Sequence, residues 1–197
     1  MKEPRVFILM GRSGCGKGTQ AKLLSKYLQD NNLGETLYVY TGERLRVFAE
    51  KEGSFSARLA KEEMKAGALL PSFLAVWLWS GALIEGVKEN NNIIMDGSPR
   101  TLLEAAMMDD AMEFYGRKNV TPVFIETSEE WSTQRLLGRG RSDDSLKSIK
   151  ERLAYFEKDV QPVIDYYEKE SEYKLIRING EQSVEKAHRE IVEKVFK

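Results

Sequence analysis

The clearest candidate for chemistry is a glycine-rich segment near the N-terminus, Gly11-Arg-Ser-Gly-Cys-Gly-Lys-Gly-Thr19. Glycines allow successive backbone N–H groups to turn toward one anion, a following helix adds positive potential at its first turn, and Lys17 can reach the outer phosphates of a nucleotide. A β-rich run at residues 6–10 precedes the segment and a helical pattern follows it, as a phosphate-binding loop requires. The residues predicted to surround the phosphates are Gly11, Ser13, Gly14, Cys15, Gly16, Lys17, Gly18 and Thr19.

Two positions of this loop carry further information. A Ser or Thr usually follows the lysine and gives its hydroxyl to magnesium, but here Gly18 follows and Thr19 comes one place later. A direct hydroxyl ligand for the metal is therefore not expected. Cys15 is the one cysteine of the sequence, and because a redox sensor usually has a resolving cysteine we favour a small filler side chain.

The elements around the loop alternate between strand and helix. Short β-rich runs bounded by Gly, Asn or Pro predict strands at 6–10, 37–40, 93–96, 122–126 and 174–178. Helical periodicity predicts helices at 17–30, 43–51, 56–65, 72–89, 102–114, 130–137, 146–169 and 184–195. This order predicts a three-layer α/β P-loop fold with a five-stranded parallel sheet. Residues 43–70 hold two short charged helices and no strand, so they are predicted to form an inserted helical flap.

One uncharged run, residues 66–84, is long enough to span a bilayer. Pro71 divides it, however, and proline is tolerated in the first turn of a helix and not in its middle. The remaining stretch, 73–84, therefore predicts a buried core helix. We expect its aromatic residues Phe73, Trp77 and Trp79 to pack in the core.

The composition excludes several classes of protein. With 197 residues, of which 42% are apolar and 31% charged, the chain has the size and balance of one soluble domain. A net charge of -1 gives no overall attraction to nucleic acid or to an anionic membrane, so anion binding must come from local clustering. One cysteine and one histidine exclude a disulfide framework, a cysteine-based structural zinc site and a histidine-rich metal site, and they fit a reducing cytoplasm.

Further motifs follow the loop in a fixed order along the whole chain. Gly16-Lys-Gly-Thr-Gln20 resembles the P-loop of the adenylate kinases and related nucleoside monophosphate kinases. Thr41-Gly-Glu-Arg-Leu-Arg46 is similar to their Thr-Gly-Asp-x-Leu-Arg, and Gly67-Ala-Leu-Leu-Pro71 to their Gly-x-Leu-Val-Pro. Asp96-Gly-Ser-Pro-Arg-Thr101 is similar to Asp-Gly-Phe-Pro-Arg-Thr. Arg135-Leu-Leu-Gly-Arg139, then Arg141-Ser-Asp-Asp144 and Arg152, resemble the lid arginines and their aspartate pair.

The resemblance implies a role for each matching residue. The phosphate-clamping cations would be Lys17, Arg46, Arg100, Arg139, Arg141 and Arg152. Arg135 would stack on the adenine of ATP, and Asp96 would hold Mg²⁺ through water. The monophosphate would be bound by Thr41, Gly42, Arg46, Leu69, Leu70, Gly97, Arg100, Glu104, Arg141 and Arg152. Arginines suit this chemistry because phosphoryl transfer depends mostly on positioning and electrostatic clamping, and guanidinium stays cationic where water is excluded.

Two departures from the family pattern affect function. No lid insertion stands between Gly140 and Arg141, so closure over ATP would rely on a tight turn. The second departure is Glu104, which stands where the adenylate members carry Gln. A Gln amide can accept from adenine N6–H and donate to N1, whereas an ionised carboxylate only accepts, which suits guanine. Thr41 and Thr101 match the adenylate pattern instead.

These observations together predict a reversible kinase that converts MgATP and AMP into two ADP. GMP or relaxed specificity stays open because of Glu104, as does a catalytically weak nucleotide-binding or sensing module. We expect a core at 1–40, 71–138 and 145–197, a monophosphate-binding flap at 41–70 and a minimal lid at 139–144. We further expect a cytoplasmic monomer that needs no structural zinc and binds neither nucleic acid nor membrane.

Overall fold

The computed structural model describes residues 3–140 and 145–196, and these residues fold around one parallel sheet. Its strands are β1 (Arg5–Met10), β2 (Thr36–Tyr40), β3 (Asn92–Asp96), β4 (Asn119–Glu126) and β5 (Ile176–Asn179). They lie in the order β2-β3-β1-β4-β5. All four strand pairs are parallel, so the carboxyl ends of all strands meet at one edge.

Helices connect the strands and cover both faces of the sheet. The helices are α1 (Lys17–Asp30), α2 (Thr41–Ala49), α3 (Phe55–Ala66), α4 (Ser72–Gly86), α5 (Leu102–Phe114), α6 (Glu129–Arg139), α7 (Leu146–Tyr155), α8 (Gln161–Lys169) and α9 (Val184–Phe196). A π-helical segment, Phe156–Val160, joins α7 to α8. Buried residues of α4, α5 and α8 pack on one face of the sheet, and those of α1 and α9 pack on the other. The predicted three-layer fold with a five-stranded parallel sheet is therefore confirmed.

Strand boundaries show where the sequence pattern was incomplete. We predicted β4 from Pro122, but it begins at Asn119, with the proline inside the strand. Pro122 pairs with Ile8 of β1 on one side, and β5 begins its pairing only at Val123. Proline has no backbone N–H to donate, but this absence removes no hydrogen bond between β4 and β5 because those strands are not yet paired at Pro122. The prediction for β5 at 174–178 was displaced, since the strand runs Ile176–Asn179.

Helix α4 is only partly the buried helix that its composition predicted. Trp79 is 1% exposed and packs in the core. Phe73 and Trp77 are 75% and 53% exposed, so their prediction as core residues was wrong. A helix with apolar residues on both sides gives no periodic signal for its outer face. Within the described part of the chain, no helix has the length and apolar content needed to cross a membrane.

Helices α2 and α3 stand apart from the sheet core. They share a small apolar cluster with α4, in which Ala60 and Leu70 meet Leu74 and Leu78, with Phe48 against them. Ser54 begins α3 by accepting a hydrogen bond from the N–H of Ala57, and Gly67 ends it in the left-handed conformation. The predicted helix pair is thus present in this region, and it leads from β2 to α4.

Candidate active site

A cleft of about 1090 Å³ opens at the carboxyl ends of β1, β2 and β3. Ligands of parallel α/β sheets bind beyond this edge of the strands. Residues of the glycine loop and α1 line one part of it, and the end of β2 and the first turns of α2 line another. The end of α3 with the residues after it, the end of β3 with the residues after it, α6 and α7 contribute the remainder.

The glycine loop has the backbone geometry of an anion cradle. Gly11, Gly14 and Gly16 all have positive φ angles, which side chains rarely adopt. Two of them also touch neighbouring backbone, since a Cβ would lie 2.5 Å from the carbonyl oxygen of Ile125 at Gly11 and 2.7 Å from that of Ser132 at Gly14. The loop needs glycine there for close packing as well as for its turns.

Lys17 begins α1 and bends back over the loop. Its Nζ donates to the carbonyl oxygens of Gly11 at 2.7 Å and Arg12 at 2.9 Å. The same Nζ lies 3.5 Å from the Sγ of Cys15, whose side chain is buried. The ammonium group is therefore held at the mouth of the cradle, and Cys15 fills space beneath it.

Most of the cations predicted for the phosphates converge on the cleft. Its lining includes Lys17, Arg46, Arg100, Arg135, Arg139 and Arg152. They come from α1, α2, the segment after β3, α6 and α7, so only the fold brings them together. Arg141 lies outside the described residues. This convergence explains how a protein with a net charge of -1 can form a site for several phosphates.

Arg100 is fixed from several directions. Its Nε donates to the carbonyl oxygen of Gly97 at 2.8 Å, and its terminal nitrogen donates to the Tyr155 hydroxyl at 3.1 Å. Tyr155 is the main cause that raises the pKa of Arg100, with Glu104 and Asp96 adding to the effect and burial opposing it. The guanidinium group is therefore preorganised and remains charged.

Glu104 lies behind the cleft wall. Its side chain is fully buried and Oε2 accepts from the Arg100 N–H at 3.2 Å, while its own N–H donates to Thr101 Oγ1 at 3.2 Å. Thr101 is the N-cap of α5, and the spacing Thr-x-x-Glu in the sequence is typical of such a helix N-terminus. Burial raises the pKa of Glu104, although the charge of Arg100 and the hydroxyls of Ser98 and Thr101 act in the opposite direction.

The other residues predicted for the monophosphate are divided between cleft and interior. Gly42, Gly97 and Leu70 line the cleft. Thr41 is 5% exposed and packs beneath it, and Leu69 is partly exposed beside it, so neither belongs to the described lining. Contact between these two residues and a base stays a prediction.

Asp96 is the one predicted metal residue and ends β3 at the cleft. Its Oδ2 accepts a hydrogen bond from the Tyr38 hydroxyl at 2.7 Å. Among the described residues there is no group of three or more His, Cys, Asp and Glu side chains that could hold a metal. This arrangement fits magnesium, which usually takes one or two carboxylates and completes its shell with phosphates and water.

Several aromatic residues of the cleft were not predicted from the sequence to belong to the site. Tyr38 and Tyr40 lie at the carboxyl end of β2, and Trp131 lies on α6. The guanidinium of Arg135 sits 5.3 Å from the Trp131 ring centroid, one turn along the same helix. The i, i+4 spacing of these two could have indicated the contact.

The contacts of Arg12 in the loop were also not predicted, and this residue is not part of the cleft lining. Its guanidinium lies 4.1 Å from the ring centroid of Phe156, and it donates to Glu157 and to the carbonyl oxygen of Thr127. It therefore ties the glycine loop to the π-helical segment that follows α7. No sequence signal indicates this contact, because residues 12 and 156 meet only in the folded chain.

The parallel sheet with its glycine loop and convergent cations defines a P-loop phosphotransferase. The family model for adenylate kinase matches residues 9–172. The chain is 33% identical over 184 residues to adenylate kinase 1 of Nostoc sp., an alignment that covers 93% of this chain and 95% of the relative. It is 34% identical over 193 residues to the adenylate kinase of Azobacteroides pseudotrichonymphae, with 95% of each chain covered. Saccharomyces cerevisiae uridylate kinase is 31% identical over 195 residues, with 94% and 88% covered.

The chain therefore belongs to the adenylate kinase family and is a nucleoside monophosphate kinase. Relatives named for two different bases match over similar lengths, so the comparisons leave the acceptor base open.

Proposed function

We propose that this protein transfers the terminal phosphoryl group of MgATP reversibly to AMP, giving two molecules of ADP. The observation that carries the proposal is the convergence of Lys17, Arg46, Arg100, Arg139 and Arg152 on one cleft. Two nucleotides bring several phosphate groups together, and their mutual repulsion requires a matching number of fixed cations. A protein that only sensed ATP would need far fewer of them.

The roles follow from where the cations are attached. Lys17 and the loop N–H groups suit the β- and γ-phosphates of ATP, and Arg46 from α2 suits the monophosphate. Arg100, Arg139 and Arg152 line the same cleft and suit the transferred phosphoryl, whose charge is spread over three oxygens in the transition state. When bound beside Asp96, magnesium would neutralise part of that charge. The accepting phosphate is already ionised, so the reaction needs no general base.

The same geometry supports the proposed division of the chain. Flap 41–70 would carry the monophosphate, because Gly42, Arg46 and Leu70 face the cleft from it. Segments 1–40, 71–138 and 145–197 would form the core. Residues 139–144 would form a minimal lid, since α6 ends at Arg139 and α7 begins at Leu146.

Two features support AMP as the acceptor. Thr41 and Thr101 match the adenylate pattern. Burial raises the pKa of Glu104 and so favours its neutral acid, which can both donate and accept as a Gln amide does. Because the carboxyl is buried in this conformation, reading the base requires the wall around Glu104 to move on binding.

The test is a panel of AMP, dAMP, GMP, CMP and UMP with MgATP, scored for diphosphate formation. We expect the highest kcat/KM with AMP. A higher value with GMP would identify the rival acceptor, and no turnover with any of the five would reject the kinase assignment for this cleft.

The variant Glu104→Gln tests the base-reading role separately. We expect a higher kcat/KM for AMP, with a gain that grows as the pH rises, because only the wild-type carboxyl can lose its proton. Glu113→Gln, an exposed change on the same helix, is the matched control. Unchanged AMP kinetics in Glu104→Gln would falsify the base-reading role.

A further inference from the structure

The hydroxyl group of Tyr38 stands where the glycine loop meets Asp96. It donates to Asp96 Oδ2 at 2.7 Å, and both side chains line the cleft. A Cβ at Gly18 would lie 3.3 Å from that carboxylate oxygen and 3.8 Å from the Tyr38 hydroxyl. The phenol therefore occupies space beside the position that carries a Ser or Thr hydroxyl in most phosphate-binding loops.

The register of the sheet sets this arrangement. Tyr40 pairs with Asp96 across β2 and β3, and Tyr38 pairs with Ile94. Residues two apart on a strand share a face, so the two tyrosine rings lie together, with centroids 6.1 Å apart and planes 12° apart. The guanidinium of Arg46 also lies close to Tyr40, 5.2 Å from its ring centroid. Tyr38 is thus supported by its neighbour and has little freedom to leave Asp96.

The hydrogen bond has a fixed direction. A phenol keeps its proton to a far higher pH than a carboxyl does. The phenol therefore keeps its proton and acts as the donor, while the carboxylate accepts. One oxygen of Asp96 is held by the protein, which leaves the other lone pairs of the carboxylate to face the cleft.

We propose that Tyr38 is the positioning residue for Asp96, and that its phenol, reaching this carboxylate from the sheet edge, orients Asp96 in a site whose loop lacks a hydroxyl directly after Lys17. The inference rests on the proposed use of MgATP but not on the identity of the acceptor. Groups that orient a metal-binding carboxylate typically change metal affinity by about 10- to 100-fold when removed.

The test is Tyr38→Phe, which removes one oxygen and keeps the ring. Electron paramagnetic resonance can follow Mn²⁺ binding to the full-length protein saturated with ATP and free of any acceptor. We expect the Mn²⁺ affinity of this complex to fall about tenfold. The Mg²⁺ concentration for half-maximal activity should rise to a similar degree, with KM for the monophosphate unchanged at saturating Mg²⁺.

Tyr166→Phe is the matched control. The Tyr166 hydroxyl donates to Asp109 Oδ2 at 2.6 Å, which joins α8 to α5 away from the cleft. This variant loses the same kind of hydrogen bond and should keep wild-type Mn²⁺ affinity. An equal fall in both variants would overturn the proposal, because the loss would then reflect general destabilisation.

A double-mutant cycle with Asp96→Asn completes the test. If Tyr38 acts through Asp96, adding Tyr38→Phe to Asp96→Asn should weaken Mn²⁺ binding no further. Additive losses, or wild-type Mn²⁺ affinity in Tyr38→Phe, would overturn the proposal. Since no acceptor is present, these outcomes are independent of the panel that tests the proposed function.

Discussion

The backbone of Gly67 lies directly against the backbone of Ser148. A Cβ at Gly67 would come within 2.5 Å of the Ser148 carbonyl oxygen. Gly67 ends α3 of the flap, and Ser148 lies in the first turn of α7, the helix that carries Arg152. The two parts of the chain that would enclose the two nucleotides therefore touch each other across the cleft, and glycine permits the contact.

Replacing Gly67 by alanine should weaken this closure. The positive φ of 76° predicts a loss of about 1–2 kcal/mol in the free energy of unfolding, as for any alanine held in the left-handed backbone conformation. The clash with Ser148 should in addition raise KM for the monophosphate several-fold. Gly116→Ala is the control, because that glycine has a φ of 62° with no atom near its Cβ position. Steady-state kinetics with equal KM in both variants would contradict a role for the contact.

The contact between Arg135 and Trp131 leads us to expect that a change at Arg135 selectively weakens the use of ATP. If the guanidinium stacks on adenine as well as on the indole, Arg135→Ala should raise KM for ATP about tenfold, within the range of desolvated cation–π contacts. KM for AMP should stay near the wild-type value. Arg5→Ala removes a similar contact, 4.9 Å from the Phe196 ring centroid and far from the cleft, and should change neither constant. A parallel rise of both KM values in Arg135→Ala would count against a base-stacking role.

Glu104 predicts a pH-dependent difference in stability. Burial raises its folded-state pKa above the ordinary value of 4.5, so the native protein binds the proton more tightly than the unfolded chain. The stability of the wild type should therefore fall, relative to Glu104→Gln, as the pH rises from about 4.5 through the folded-state pKa. Urea unfolding of both proteins between pH 4.5 and 8 measures this difference.

Glu168→Gln is a control of opposite sign. The hydrogen bond from Arg177 lowers the pKa of Glu168, so its contribution is present at neutral pH and disappears as the pH falls. A pH-independent gap between the wild type and Glu104→Gln would show that Glu104 ionises in the native protein as readily as in the unfolded chain.

The proposed minimal lid predicts that water is incompletely excluded from bound ATP. Only residues 140–145 separate α6 from α7, and a short closing segment shields reactive phosphates less completely. We expect slow, Mg²⁺-dependent release of ADP from ATP without any acceptor, and its disappearance in Lys17→Ala. Failure to detect ADP above the background of buffer alone would reject this expectation.

The sequence predicted those parts of the site that depend on local patterns. Local motifs predict the glycine loop, its lysine and the arginines at fixed motif positions. Every predicted cation within the described residues does line the cleft. Contacts set by tertiary packing could not be read in this way. Tyr38 reaches Asp96 because of the register between β2 and β3, and Arg12 meets Phe156 because the π-helical segment after α7 packs against the loop. Glu104 was interpreted only as a base reader, although the local Thr-x-x-Glu spacing also indicates a helix N-terminus, where its side chain accepts a hydrogen bond from the Arg100 N–H.

The most direct test of the account uses ADP as the only nucleotide. If one cleft holds a phosphoryl donor and a phosphoryl acceptor that are both adenine nucleotides, two ADP molecules should be able to fill it and exchange a phosphoryl group. Phosphorus NMR of the protein with ADP and Mg²⁺ should show ATP and AMP appearing in equal amounts, and Arg100→Ala should abolish the exchange. Persistence of ADP alone, under conditions in which the protein binds it, would contradict the central claim.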